Sequence, residues 1–474
     1  MERSREFIEP PRPVSVSGLF VRFIILVSVF FVAKAYAGTD WAILSCFFLL
    51  SSFALARRSC DLFNPRRITI GSFWYITFLA IIYVPAFIVF SDQVPPYRNS
   101  FLLAVETVLI TVPMGWWIVS HCLDFSPIET DVFFLRPVAP LNELTSFSQK
   151  YGAVLVVTMA ITVLYLRTVA VVPLFYLFRH PGESLELALL REDSLKLLNS
   201  RFVYAFYMLR GVLYPLLIAL ALAVYLSCRQ VKWLKIFAIV LCMGVFYAAL
   251  SLAKSPVAAI FLILSFLYYY HRKGVPSQKI VAIFLILIVA FPIAVVMGAY
   301  ATLDTGIQDA ALALGYRLFY IPAETVYFYF EVFPKECGYL HGRSIGKLAW
   351  FLGMAPEDLT QSVSQYSSPD GLQTGTANAA FVANWHADFG LAGVLVGGVL
   401  TGALMQAVHV ALVRRGKNPI IIATYAFLVF SFWLLHSTSL PIVLLSDGAI
   451  PALLLMWFFG GRDIQYRVPG TQAS

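Results

Sequence analysis

The sequence predicts an all-α, polytopic integral membrane protein of about twelve transmembrane helices with one dominant loop outside the bilayer. Three observations carry this. The chain of 474 residues is 60% hydrophobic and only 13% charged, whereas soluble domains carry about 25% charged residues. About twelve apolar runs are long enough to cross a ~30 Å hydrocarbon core as helices. Clusters of Lys and Arg recur at alternate ends of those runs, and the positive-inside rule turns that recurrence into an orientation.

Taken in order, Met1 to Ser17 is polar and proline-bearing, and no small-residue cleavage site follows. It reads as a cytoplasmic start, not a cleaved leader. Spans are predicted near Gly18–Tyr36, Trp41–Ala56, Ile68–Ser91, Phe101–Ser120, Gly152–Leu174 and Phe202–Ser227. Six more lie near Leu234–Ala253, Pro256–Tyr270, Ile280–Tyr300, Leu391–Val413, Ile420–Leu435 and Pro441–Phe459. The basic clusters Arg57/Arg58/Arg66/Arg67, Arg229/Lys232/Lys235, Arg272/Lys273/Lys279, Arg414/Arg415/Lys417 and Arg462/Arg467 all follow even-numbered spans. With Arg3, Arg5 and Arg12 at the start, both termini are expected in the cytoplasm. The formal net charge of +8 follows from the same rule, so no nucleic-acid partner is implied. The expected organisation is a bundle of about nine helices over 1–300 with an external loop at 175–201, a large external loop at 301–389, and about three helices over 390–474.

The large loop is where chemistry is expected. The side that should be poor in cations holds Arg179, Arg191, Lys196, Arg201, Arg317, Lys335, Arg343 and Lys347. Arg210 lies inside the sixth span, and Lys254 lies at the external end of the seventh. An ionisable residue at membrane depth costs several kcal/mol unless it is paired or wet. The guanidinium fork suits a diphosphate, which it binds through paired, charge-assisted hydrogen bonds. The same arginines could instead pair with Glu183, Glu186, Glu192, Asp193 and Glu324, or reach back to the interface. Arg201 and Arg210 fall on opposite sides of one helix.

His386, in Trp385-His386-Ala387-Asp388, is the first candidate for a proton acceptor, since imidazole titrates near neutrality. It could equally be a capping or hydrogen-bonding residue. Asp388 and Glu324 are the alternative bases, and His341 is a weaker one. In an extended segment Asp388 and His386 would point the same way, and in a helix they would diverge. The glycines Gly390, Gly393, Gly397, Gly398 and Gly402 read as a face for close helix packing. Six cysteines without a CxxC or HExxH pattern imply neither a disulfide framework nor a metal site. No phosphate-binding loop, dinucleotide fingerprint or serine-hydrolase signature is present. No cofactor is expected.

Three stretches resemble the Wzy-type O-antigen and oligosaccharide repeat-unit polymerases of bacterial envelopes. They are Ser251-Leu252-Ala253-Lys254-Ser255-Pro256; Arg317-Leu318-Phe319-Tyr320-Ile321-Pro322 with Gly342-Arg343-Ser344; and Thr376-Ala377-Asn378 followed by His386-Ala387-Asp388-Phe389-Gly390. The layout resembles that family along nearly the whole chain. The resemblance implies a GT-C-like, metal-independent glycosyltransferase in the inner membrane with a periplasmic site. It implies two substrates on undecaprenyl diphosphate, and a chain-length regulator as a further partner. The acceptor's sugar hydroxyl attacks the donor's anomeric carbon, and undecaprenyl diphosphate leaves. In that picture Arg191, Arg201, Arg210, Lys254, Arg317 and Arg343 take the diphosphate role and His386, Asp388 or Glu324 the base role. An O-antigen ligase shares the chemistry and differs in its acceptor. A repeat-unit transporter is the alternative of another class, kept open by Arg167 midway through the fifth span.

Overall fold

The computed structural model describes residues 16–57, 59, 61–64, 66–93, 96–169, 171–179, 200–250, 254–272, 312–335, 338–351, 353–367 and 376–460. Among them 82% are helical and none lies in a strand. The chain is an all-α polytopic membrane protein.

Ten described helices are long and apolar enough to cross a membrane: Leu19–Tyr36, Thr39–Ala56, Ile70–Asp92, Tyr97–Cys122, Leu144–Thr168, Tyr204–Cys228, Val231–Leu250, Phe381–Arg414, Pro419–His436 and Leu440–Phe459. The eighth expected span is a shorter apolar helix, Ser255–His271. The ninth, near 280–300, lies outside the described residues, as does Arg191. Pro419–His436 is the centre of the bundle, with 83% of its apolar stretch buried, and Leu19–Tyr36 is peripheral, with 11%.

The tightest helix pair is Tyr97–Cys122 against the later part of Phe381–Arg414. Lipid offers no hydrophobic drive between helices, so close packing of small residues holds them together. A Cβ on Gly402 would sit 2.0 Å from the Val112 carbonyl, and one on Gly115 would sit 2.2 Å from the Val399 carbonyl. Neither helix could approach so closely with alanine there.

Among the described residues three helices widen by one residue at a π-turn: Leu79–Tyr83, Leu209–Leu213 and Tyr316–Tyr320. In each, the residue after the turn donates five residues back: Val84 to Leu79, Tyr214 to Leu209 and Ile321 to Tyr316. Each time the next residue is a proline: Pro85, Pro215 or Pro322. Proline brings no N–H and its ring clashes with the carbonyl four residues earlier. Widening the turn relieves that clash. Pro113 sits inside Tyr97–Cys122 without such a turn.

Ends of chain that the charge pattern assigns to one side meet at one end of the bundle. Arg67 pairs with Asp131. Arg414 pairs with Glu129 at 3.1 Å and donates to the Leu123 carbonyl at 2.9 Å. Lys417 donates to the Phe134 carbonyl at 2.9 Å, and Tyr270 donates to the Ile68 carbonyl at 3.0 Å. The opposite end is covered by helices that do not span, namely Ile321–Val332, Gly346–Phe351, Leu359–Ser367 and the start of Phe381–Arg414.

Candidate functional site

The covering layer is built on the helix Ile321–Val332, which packs on Tyr97–Cys122 and on the segment beginning at Phe381. Residues 381–389, expected as loop, are helical. At Gly390 (φ 65°, ψ −154°) the backbone leaves the helix, in a conformation open to glycine and strained for other residues. The reversal lays Trp385 against the next helix. A Cβ on Gly397 would meet the Trp385 ring at 2.4 Å, and one on Gly393 would meet the Trp385 carbonyl at 2.3 Å.

That geometry decides how His386 and Asp388 relate. Being two residues apart in a helix, they diverge, and the orienting contact of an extended segment does not form. The His386 ring is 3% exposed and stacks on Phe330 at 3.7 Å. Its Nε2–H donates to the Phe333 carbonyl at 3.2 Å. Its Nδ1 is buried with no hydrogen-bond partner. Asp388 is turned the other way. Its carboxylate accepts from the backbone N–H groups of Gly342 (3.0 Å) and Ser344 (3.3 Å) and from the Ser344 hydroxyl. Its own carbonyl accepts from His341 N–H at 2.9 Å. Two stretches far apart in sequence, Gly342-Arg343-Ser344 and His386-Ala387-Asp388, are thereby one hydrogen-bonded unit.

Glu324 sits elsewhere in the layer, half-buried in the first turn of Ile321–Val332. Tyr316 and Tyr320 precede it, their rings stacked at 4.7 Å. Tyr320 donates to the Asp92 carboxylate at 3.1 Å. Burial, and then the negative charge of Asp92, hold the Glu324 carboxyl above the usual carboxylate range. Two carboxylates near each other cannot both ionise freely. Among the described residues Glu324 makes no ion pair.

The six cation candidates do not form one described cluster. Arg317 is exposed on the π-turn Tyr316–Tyr320, seven residues before Glu324 in the chain. Arg210 lies in the other arginine-bearing π-turn, 5.4 Å from the centre of the Tyr207 ring. The turn containing it packs against a break in the last span at Ser446–Gly448, where Val212 fills the space beside Gly448. Arg343 donates to the Ala355 carbonyl (3.1 Å) and pairs with Glu357 (3.3 Å). Arg201 lies in the helix Ser200–Met208, and Lys254 begins the helix Lys254–His271.

Sequence reasoning missed Asp92 and both tyrosines. It missed Glu106 as well, which is fully buried and accepts from Ser45 and from Tyr83 at 3.2 Å. A readable signal did exist for the arginine turns: Arg210 and Arg317 each stand five residues before a proline. Among the described residues no group of three or more His, Cys, Asp or Glu side chains is placed to hold a metal ion. The chain matches no family model, no curated protein and no solved structure.

Proposed function

We propose that this protein is a glycosyltransferase that polymerises lipid-linked oligosaccharide repeat units at the outer face of the bacterial inner membrane, with a GT-C-like fold. The observation that carries the proposal is the turn from Arg317 to Glu324. It combines a cation suited to a diphosphate with a half-buried carboxyl held above the usual carboxylate range, at the rim of the bundle opposite the paired basic clusters. The membrane-spanning bundle supplies the other requirement, a surface on which two undecaprenyl-diphosphate substrates can be held.

The proposed reaction needs no external reagent. Glu324, as carboxylate, takes the proton from the acceptor's sugar hydroxyl as that oxygen attacks the donor's anomeric carbon. The glycosidic bond forms, the bond to the diphosphate breaks, and undecaprenyl diphosphate leaves with the electron pair. Arg317 neutralises charge on the departing diphosphate. A positioned base contributes ~10²–10⁴-fold, most effectively when its pKa lies near the working pH. Burial, and then the charge of Asp92, raise the Glu324 carboxyl above the usual carboxylate range. His386 and Asp388 hold the covering layer in shape.

The test is the purified protein with lipid-linked repeat units. Longer lipid-linked glycan supports the proposal. Transfer only to an added lipid A-core acceptor would make the protein a ligase. One observation favours a transporter: the π-turn carrying Arg210 faces an interrupted last span, and transporters place substrate sites at interrupted helices. Movement of the intact repeat unit across a vesicle membrane, without new glycosidic bonds, would establish that reading instead.

A further inference from the structure

At the paired basic end, away from the site above, a cavity of about 100 Å³ opens where three spans end. It is lined by the start of Leu144–Thr168, the start of Pro419–His436 and the last turn before Gly460. That is room for several waters or one tetrahedral oxyanion. Its polar lining is only partly used in internal hydrogen bonds. Asn418 is only 7% exposed, and its Oδ1 caps Ile421 N–H at 2.9 Å. The amide NH₂ of the same side chain has no acceptor among the described residues, although the residue lines the cavity. Lys150 also lines it, makes no ion pair among the described residues, and has its ammonium 5.8 Å from the centre of the Phe458 ring. Glu143 precedes the Leu144–Thr168 helix without capping it by its side chain, which leaves the first-turn N–H groups without a side-chain cap.

Asn418, Lys150 and a helix start border one space, and such an arrangement recognises an anion. A single carboxylate, Glu143, stands exposed at its mouth. The cavity is also walled by Phe147, Ile420 and Phe459, which suits a ligand with an acyl side. We infer that this cavity binds the phosphoethanolamine headgroup of a membrane phospholipid. The phosphate lies on Lys150 and Asn418, and the ammonium faces Glu143. The inference is independent of the polymerase reading.

The experiment is native mass spectrometry of the full chain in detergent, titrated with phosphatidylethanolamine, phosphatidylglycerol or inorganic phosphate. Wild-type protein is expected to retain phosphatidylethanolamine in preference to phosphatidylglycerol. Lys150→Ala and Asn418→Asp should each weaken that binding about tenfold or more, the size of one charge-assisted hydrogen bond. Asn418→Asp keeps the helix-capping oxygen, so its loss of lipid does not reflect misfolding. Glu143→Gln should abolish the preference between the two lipids. Unchanged binding in both donor variants would overturn the site. Inorganic phosphate binding as tightly as the lipid would assign the cavity to a soluble phosphate and overturn the lipid claim.

Discussion

The two ends of the bundle differ in one use of charge: both hold ion pairs, Arg343–Glu357 at the covered end, but there two carboxylates are also held near each other. At the end bearing the basic clusters, carboxylates meet cations: Glu129 with Arg414 and Asp131 with Arg67. Lys417 is anchored on the Phe134 carbonyl. At the covered end, Asp92 and Glu324 meet two phenols and each other. Matched pairs fix one helix against the next and contribute about 0–1 kcal/mol each when partly exposed. Like charges held together cost free energy, and a fold that retains them keeps a group poised to take a proton. The comparison separates residues that hold the bundle from residues that can act.

The largest expected effect breaks this comparison most cleanly. Glu324→Gln should lower the polymerisation rate by ~10²–10⁴-fold. Glu129→Gln should leave that rate within a few-fold, because Arg414 keeps its bonds to the Leu123 and Asp124 carbonyls. Rates of both purified variants with lipid-linked repeat units decide it. Equal losses would erase the distinction between the two ends.

Next in size is Arg317. Its replacement by Ala should reduce kcat/KM by roughly ten- to a hundredfold, as expected for a lost hydrogen bond to a charged group. Arg317→Lys should recover only part, since an ammonium lacks the planar fork. Full recovery with Lys would reduce the role to a point charge.

His386→Ala should act on stability instead. The variant removes a buried stacked ring and its bond to Phe333, a loss of about 1–3 kcal/mol. Denaturant or thermal unfolding measures this, and the rate per folded molecule should fall far less than in Glu324→Gln. The smallest effect is expected from Arg343→Ala, below about 1 kcal/mol, because its partner Glu357 is half-exposed.

Much of this could be read from the sequence. Apolar length and the alternation of Arg and Lys located the spans, because lipid allows few solutions for a buried backbone. The glycine series from Gly393 to Gly402 pointed to close packing, and Gly402 lies on Val112 as that requires. The site was less legible. His386 carries the right functional group for a base, but its helix and Phe330 enclose it, and only tertiary contacts reveal that. Gly342-Arg343-Ser344 stood out as a motif with a cation, whereas its backbone N–H groups, holding Asp388, do the joining. Asp92 stands at a span end where a carboxylate is ordinary, so nothing local tied it to Glu324. The π-turns had a local cause in Pro85, Pro215 and Pro322, yet Pro113 sits in the same chain without one.

The pH dependence of Glu324 bears most directly on the central claim. Its carboxyl is raised in the folded protein, so the folded state holds that proton more tightly than the unfolded one. The stabilisation this gives is present at low pH and is lost as pH rises through the raised value. Above the raised value the ionised group therefore lowers stability, and there Glu324→Gln should fold at least as stably as wild type. As a base, the same group must be ionised to act. The rate of wild-type protein should fall as pH drops, with a midpoint above the ordinary carboxylate range. The deciding measurement is the pH–rate profile of purified wild type and Glu324→Gln on lipid-linked repeat units, with unfolding followed on the same samples. The account predicts that the variant loses both the rate and the acid limb while its stability is unchanged or higher. A variant that keeps the wild-type rate and the same acid limb would contradict it.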